Sequence, residues 1–288
     1  MPATRHPYDG KLVGLATIHG KERAIAAPFR RVLGAEIVVA PGIDTDQLGT
    51  FSGEIARPAS PVEVTDMKAR MTFAAMDVDC SLASEGSYGP IFKVPLKAGG
   101  MEILTFIDRE RGVRVTQTMT THRTNWRMLY FREGEDERVA RELGLLGFPA
   151  YGVFVMQNDE WTTVIKDLAS VADVVATVNR HARLSADGQA LVIPDMRAHR
   201  NPLRMQVIRA TAWRLARRLT HFCPKCHAPG FGHISSRRGL PCEACAEPTH
   251  WIHFEIDGCS ACGHAAARPR KDGRHTASKF SCQQCRVK

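Results

Sequence analysis

Aromatic residues are scarce, 7% of 288, which argues against a binding sheet paved with stacked rings. Long apolar runs are missing too: none approaches the roughly 20 residues that a membrane-spanning helix needs. The opening stretch, Met1 to Lys11, is polar and has no apolar h-region of a secretory signal. A cytoplasmic protein with no membrane partner is therefore expected. Proline is limited to 16 positions while 44% of residues are hydrophobic. That is enough for one sizeable core or two domains, and it excludes a disordered chain.

The charge is unevenly spread. Residues 200–288 carry 16 Lys and Arg against 5 Asp and Glu, whereas residues 1–199 carry 23 against 25. A nearly neutral body with a basic tail points to an anionic partner for the tail, RNA or DNA among them, or to a solvated basic surface.

Eight of the nine cysteines fall in four Cys-x-x-Cys pairs: Cys223/Cys226, Cys242/Cys245, Cys259/Cys262 and Cys282/Cys285. Each pair sets two thiolates on one tight knuckle, where both reach a tetrahedral Zn²⁺ at about 2.3 Å. Knuckles joined by 15 to 19 residues match a zinc ribbon. Disulfides are disfavoured without a secretory context, and four redox motifs in series are improbable. Two structural four-cysteine zinc sites are expected, with consecutive pairs sharing a site in preference to interleaved ones. Cys80 stands alone in an apolar segment and reads as a core residue.

The first 200 residues alternate strand-like and helix-like segments, an α/β pattern. Strands are expected at Lys11–Thr17, Ala35–Ala40, Cys80–Ala83, Tyr151–Met156 and Leu191–Ile193. A hairpin is expected from Glu102–Ile107 and Gly112–Thr121. Helices are expected up to Leu33, with a start or bend near Ala27 because of Pro28, and from Ser60-Pro61 to about Met76. Two more cover Glu135–Leu146 and Leu168–Ala182, and a last one opens at Asn201-Pro202. The Pro41–Ala59 stretch is a long polar loop, as is Ser84–Pro90. Three domains follow: residues 1–219, an α/β domain for a nucleotide or phosphate; 220–250, a first zinc ribbon; and 251–288, a second.

Three segments concentrate polar groups where strands end. Thr17-Ile18-His19-Gly20-Lys21 is a glycine-containing turn that offers backbone N–H groups and a lysine to phosphate oxygens. Glu63 and Lys68 share one helix and Glu85 follows the next strand, a set suited to Mg²⁺ or Mn²⁺ and phosphate, or to a solvated helix face. Asp195, Arg197, His199, Arg200 and Arg204 surround a helix start, as an anion site or a surface salt-bridge cluster would.

These segments resemble the inosine-triphosphate pyrophosphatase superfamily, which includes the Maf-like enzymes. Ala16-Thr17 and Gly20-Lys21-Glu22 fit its phosphate loop; Glu63, Lys68 and Ala69 fit the Glu-Asn-Ala-x-x-Lys-Ala helix that follows. Ala83-Ser84-Glu85-Gly86 is similar to its acidic loop, and Ala198-His199-Arg200 to its Ser-His-Arg. The resemblance implies a mixed-sheet pyrophosphatase-like α/β domain, followed here by the basic helix and the two ribbons. It implies Mg- or Mn-dependent hydrolysis of a nucleoside triphosphate or related phosphate ester, with Glu63 and Glu85 on the metal and Lys68 as the third catalytic residue. Thr17, His19, Lys21, Ser87, Arg197, His199, Arg200 and Arg204 would contact phosphate or base. The whole layout is similar to an uncharacterised bacterial family, a domain of unknown function. Its phrases here are His19 to Glu22, Gly49 to Glu54, Ala83 to Ser87 and Asp195 to His199, followed by paired zinc knuckles. The alternative to an enzyme is a zinc-ribbon protein that binds nucleic acid or docks another protein.

Overall fold

Leu12–Ala16, apolar and hemmed by turns, forms strand β1; the chain then reverses through Gly20, whose φ of +66° suits glycine. In a computed structural model that describes residues 5–91, 98–158 and 160–286, this segment sits in a five-stranded sheet of order β2-β1-β3-β4-β5. The strands are β2 (Glu36–Val39), β3 (Cys80–Pro90), β4 (Ala98–Asp108) and β5 (Val113–Thr121). β1 pairs parallel with β2 on one side and with β3 on the other. Its connections are helices α1 (Glu22–Leu33) and α2 (Pro61–Ala75). Since β2 and β3 lie on opposite sides of β1, the carboxyl ends of β1 and β3 flank a topological switch point, where open α/β sheets place their ligands.

Helix α2 begins as its sequence dictates. Ser60 Oγ accepts from the Glu63 N–H, and the Glu63 carboxylate accepts from the Ser60 N–H at 3.0 Å and the Ser60 hydroxyl at 2.6 Å, a closed capping box with Pro61 at the first turn. The helix lies tightly on β1. A Cβ on Gly14 would come within 2.4 Å of the Thr72 methyl and 2.8 Å of Met76 Sδ, so this contact needs glycine. Ala16, Ala40, Ala69, Ala83 and Ile107 fill the interior beneath. Cys80 is buried, as expected of a core residue.

A second sheet, order β6-β8-β7 and antiparallel, combines β6 (Leu129–Phe131), β7 (Val153–Gln157) and β8 (Ala190–Pro194). Period-two alternation separates its side chains. Val153, Val155, Ala190 and Val192 pack under α3 (Asp136–Leu146) and α4 (Val171–Leu184), whereas Phe154, Met156, Leu191 and Ile193 form a core on the other face with Phe51. Both faces are covered, so β7 and β8 read as continuous apolar runs. Helix α5 (Pro202–Leu219) follows, its start capped by Asn201 Oδ1, which accepts from the Arg204 N–H at 3.0 Å.

Compactness divides the chain into two units: Met1–Ile107 with Thr116–Ala216, and Asp108–Val115 with Arg217–Lys288. The second holds a three-stranded antiparallel sheet, order β11-β10-β9, of β9 (Gly232–Arg238), β10 (Ile252–Gly258) and β11 (Ala265–Pro269).

Three expectations change. No helix starts near Ala27: α1 runs from Glu22 to Leu33 with Pro28 buried in its interior. Ser84–Pro90, a loop by its Ser and Gly content, continues β3, because its polar side chains meet partners inside the protein. The short β6 carries too little periodicity to be read from sequence. A division at residue 250 does not separate two zinc modules, since both sides of it contribute to each cluster.

Replacing Ser60 with alanine is expected to lower stability by about 1 kcal/mol through loss of the cap. The midpoint of denaturant unfolding, with unchanged slope, measures it.

Candidate functional site

At the switch point side chains from several segments meet around Gly86. Lys68 from α2 donates to Glu85 Oε2 at 2.6 Å, and Arg57, from the loop after β2, holds Glu85 Oε1 at 2.9 Å and the Gly86 carbonyl at 2.5 Å. Lys21, at the start of α1, is buried and donates to the Ser84 carbonyl at 3.0 Å. Arg204, from the first turn of α5, is fully buried and pairs through Nε with Glu102 Oε1 of β4 at 2.6 Å. Its guanidinium also donates to the Met196 carbonyl and lies over the Phe51 ring, 4.1 Å from the centroid. A Cβ on Gly86 would fall 2.5 Å from both Arg204 Nη2 and Glu102 Oε1. Glycine is therefore required where this pair closes on β3.

The cluster sets four cations, Lys21, Arg57, Lys68 and Arg204, against two carboxylates, Glu85 and Glu102. With every group charged the balance is +2. Burial, then the Arg204 charge, lowers the Lys21 pKa to about 7, with Glu85 opposing and Lys68 adding to the fall. Burial would raise the Glu85 pKa, but the Lys68 and Lys21 charges outweigh it and hold the carboxyl below its ordinary value. Arg204 Nη2 and Glu102 Oε2 are buried without a hydrogen-bond partner at normal geometry. Tyr88, beside them on β3, has its pKa raised by burial and then by the Glu102 charge.

Next to Lys21 in the same turn, His19 Nε2 lies 3.2 Å from Asp46 Oδ1. Asp46 belongs to a 3₁₀ turn at Thr45–Leu48, where its N–H is capped by the Asp44 carboxylate. Burial would raise the Asp46 pKa, but the hydrogen bond and charge of His19 lower it below the usual carboxylate value. The His19 ring stacks on His199 with centroids 5.1 Å apart and planes 24° apart. Burial and then the His19 charge lower the His199 pKa. Thr17 Oγ1 accepts from the His19 N–H at 3.2 Å and so shapes the turn.

The expected site residues therefore part company. Lys21, Lys68, Glu85 and Arg204 converge, and His19 and His199 meet beside them. Glu63 does not join: its carboxylate is engaged in the cap of α2, so it is not placed to share a metal ion with Glu85. Arg197 is bound to Asp195 Oδ2 at 2.7 Å and Asp167 Oδ1 at 2.8 Å, and Arg200 Nε lies 3.5 Å from the same Asp167 oxygen. These two form the salt-bridge cluster rather than an open anion site. Ser87 continues β3, away from the ion pairs, lining a cavity of about 530 Å³ with Tyr88 and His122. Arg57, Asp46, Phe51 and Glu102 escape sequence reasoning. The length and polarity of the Pro41–Ala59 loop are the available signal for the first three; Glu102, inside an apolar strand, gives none.

In the second unit the cysteines form two groups, Cys223, Cys226, Cys259 and Cys262, and Cys242, Cys245, Cys282 and Cys285. Four thiolates about 2.3 Å from one ion stand about 3.8 Å apart. The sulfurs lie 3.8 Å apart for Cys223–Cys262, 3.6 Å for Cys226–Cys259, 3.9 Å for Cys242–Cys285 and 3.6 Å for Cys245–Cys282, so each group fits a tetrahedral zinc ion. Three knuckles share one backbone pattern. The N–H of His227, Ala246 and Gly263 returns to the carbonyl of Cys223, Cys242 and Cys259, with φ near +60 to +70° at each turning residue.

The pairing is interleaved, against the expectation of consecutive pairs. The sheet dictates it. Gly232 of β9 faces Gly258 of β10, which brings the first knuckle beside the third; Arg238 faces Ile252 at the other end, beside the second knuckle. Strand β11 then returns the chain to that second end, where Cys242 bridges Ala277 just before the fourth knuckle. Strands of seven residues set the two groups about 20 Å apart.

A family profile described as a domain of unknown function, DUF6671, matches residues 68–287, more than half of the chain. The chain belongs to the DUF6671 family. No curated protein matches it. The DUF6671 match takes in all eight knuckle cysteines together with Lys68, Glu85, Glu102 and Arg204. Among the described residues no helix is long and apolar enough to cross a membrane.

The interleaved pairing has a direct readout. The wild-type chain is expected to hold about two zinc ions, and the double variant Cys226→Ser with Cys262→Ser about one, because both residues serve the same group. Consecutive pairing would leave the double variant with none. Zinc content of the purified protein decides between them.

Proposed function

We propose that the α/β unit binds a compound bearing a terminal phosphate, a nucleotide being the class expected from the sequence. One observation carries this reading: a buried cluster at the switch point with four cations and two carboxylates. A terminal phosphate is a near-dianion at neutral pH and offers three acceptor oxygens. It matches the +2 balance and supplies further acceptors to Lys21 and Arg204. The strand-end position and the start of α1 support the same class of ligand.

The metal-dependent hydrolysis of the sequence reading receives less support, since Glu63 caps α2 and both oxygens of Glu85 are held by cations. Nucleic-acid binding or protein docking by the zinc unit draws on the basic balance of residues 200–288. Part of that charge is already matched: Arg268 pairs with Glu255 and Asp257, Arg270 with Asp272, and Arg204 with Glu102. Phosphate binding at the buried cluster is therefore the stronger reading.

The pH dependence follows from Lys21. In the free protein it holds its proton below about pH 7 and loses it above. A bound dianion favours the charged form and raises that pKa. Binding is thus tightest with Lys21 protonated and weakens as pH rises through and beyond 7. Between about pH 7.5 and 9 the phosphate of a nucleoside 5′-monophosphate stays dianionic, its second pKa being near 6, so the slope belongs to the protein. Calorimetric titrations are expected to show affinity falling towards about tenfold per pH unit. Lys21→Met should weaken binding near neutral pH about tenfold and flatten the slope. A wild-type protein that binds neither inorganic phosphate nor the monophosphate would overturn the reading.

A further inference from the structure

Beside the cationic cluster lies a pair of groups that phosphate binding does not use. His19 Nε2 is committed to Asp46 at 3.2 Å, and among the described residues no hydrogen bond is made by its Nδ1. The ring is held by Asp46 at Nε2 and by the stacked face of His199, and the backbone N–H of His19 is bound to the Thr17 hydroxyl. Asp46 is itself fixed by the Asp44 cap. A carboxylate on one imidazole nitrogen sets the tautomer and makes the other nitrogen a better base. The same short turn carries His19 and Lys21, and Asp46 feels the Lys68 charge, so the His19–Asp46 pair lies beside the groups that would hold a phosphate.

We propose that His19 is a catalytic residue of a phosphomonoester hydrolase, taking a proton from the attacking water through Nδ1, with Asp46 as the positioning residue that aligns the ring. The inference rests on the phosphate-binding reading of the neighbouring cluster. In the step, the water oxygen forms a bond to phosphorus while the bond from phosphorus to the ester oxygen breaks. The water proton passes to His19 Nδ1, and the electron pair of the broken bond stays on the ester oxygen. That oxygen then takes back the proton held on His19, directly or through solvent, so phosphomonoester and water give alcohol and inorganic phosphate. Lys21, Lys68 and Arg57 stabilise the charge on the phosphoryl oxygens. No redox change and no further reactant are involved.

The test uses the full chain with its zinc and follows phosphate release from p-nitrophenyl phosphate and from a nucleoside 5′-monophosphate. Wild type is expected to turn both over. His19→Gln should cut kcat/KM by about 10² or more, within the range of a lost general base, while affinity for inorganic phosphate stays within about threefold. Asp46→Asn should fall in between, lowering kcat with KM nearly unchanged, and Asp46→Glu should recover part of the loss, which a merely structural role would not do. Phosphate binding by wild type without release from either ester overturns the proposal and leaves the binding reading standing. Unchanged turnover in His19→Gln overturns it as well. Failure to bind phosphate at all removes both.

Discussion

Burying a charge without a partner is costly, and a protein avoids it by pairing the charge or neutralising it. The α/β unit does both around Gly86. Glu85 and Glu102 are each paired, Lys21 has its pKa drawn down to about 7, and the surplus of positive charge stands at the strand ends. The local fold is arranged to permit this. Glycine at position 86 lets the Arg204–Glu102 pair approach β3, the loop after β2 brings Arg57 across, and Asn201 starts α5 so that Arg204 enters from its first turn.

The zinc unit is under the opposite constraint, too little core. β9 is exposed along nearly its whole length and the interior is limited to a few residues such as Leu240 and Ala277 beside the inner cysteines. A sheet of three short strands does not bury enough apolar surface to hold itself together. Two four-thiolate sites, one at each end of the sheet, would supply that stability by tying distant knuckles, as metal does in small domains.

Much of this is legible in the sequence. Four Cys-x-x-Cys pairs declare thiolate clusters at any reading, and Ser60-Pro61-x-Glu63 declares a helix start. That second motif also tells against Glu63 as a metal ligand, because its spacing from Ser60 already fits a capping box. Helical geometry carries a second warning. Residues five apart stand about 140° apart around a helix, so with Lys68 on the buried face beside Val64, Thr65 and Ala69, Glu63 falls towards solvent. The interleaved pairing is hidden for another reason. Spacing between knuckles reports how far the chain travels, but only strand direction says where it comes back. Arg57 and Asp46 are hidden because they sit in a loop without periodicity, placed by tertiary contacts alone.

Residues 68–287 contain Lys68 with Glu85 and Arg204 with Glu102, two buried pairs that sum to zero. Lys21 and Arg57, which carry the excess, and His19 with Asp46 all come from the preceding residues. Two neutral pairs serve the fold by joining α2 to β3 and α5 to β4, and would do so in the absence of any ligand. The surplus is different: Lys21 and Arg57 add charge that the carboxylates at hand do not balance, and they approach from the turn and the loop at the open end of the sheet. The segment ahead of the matched region thus supplies the unbalanced charge of the cluster, while the matched region supplies its supporting frame.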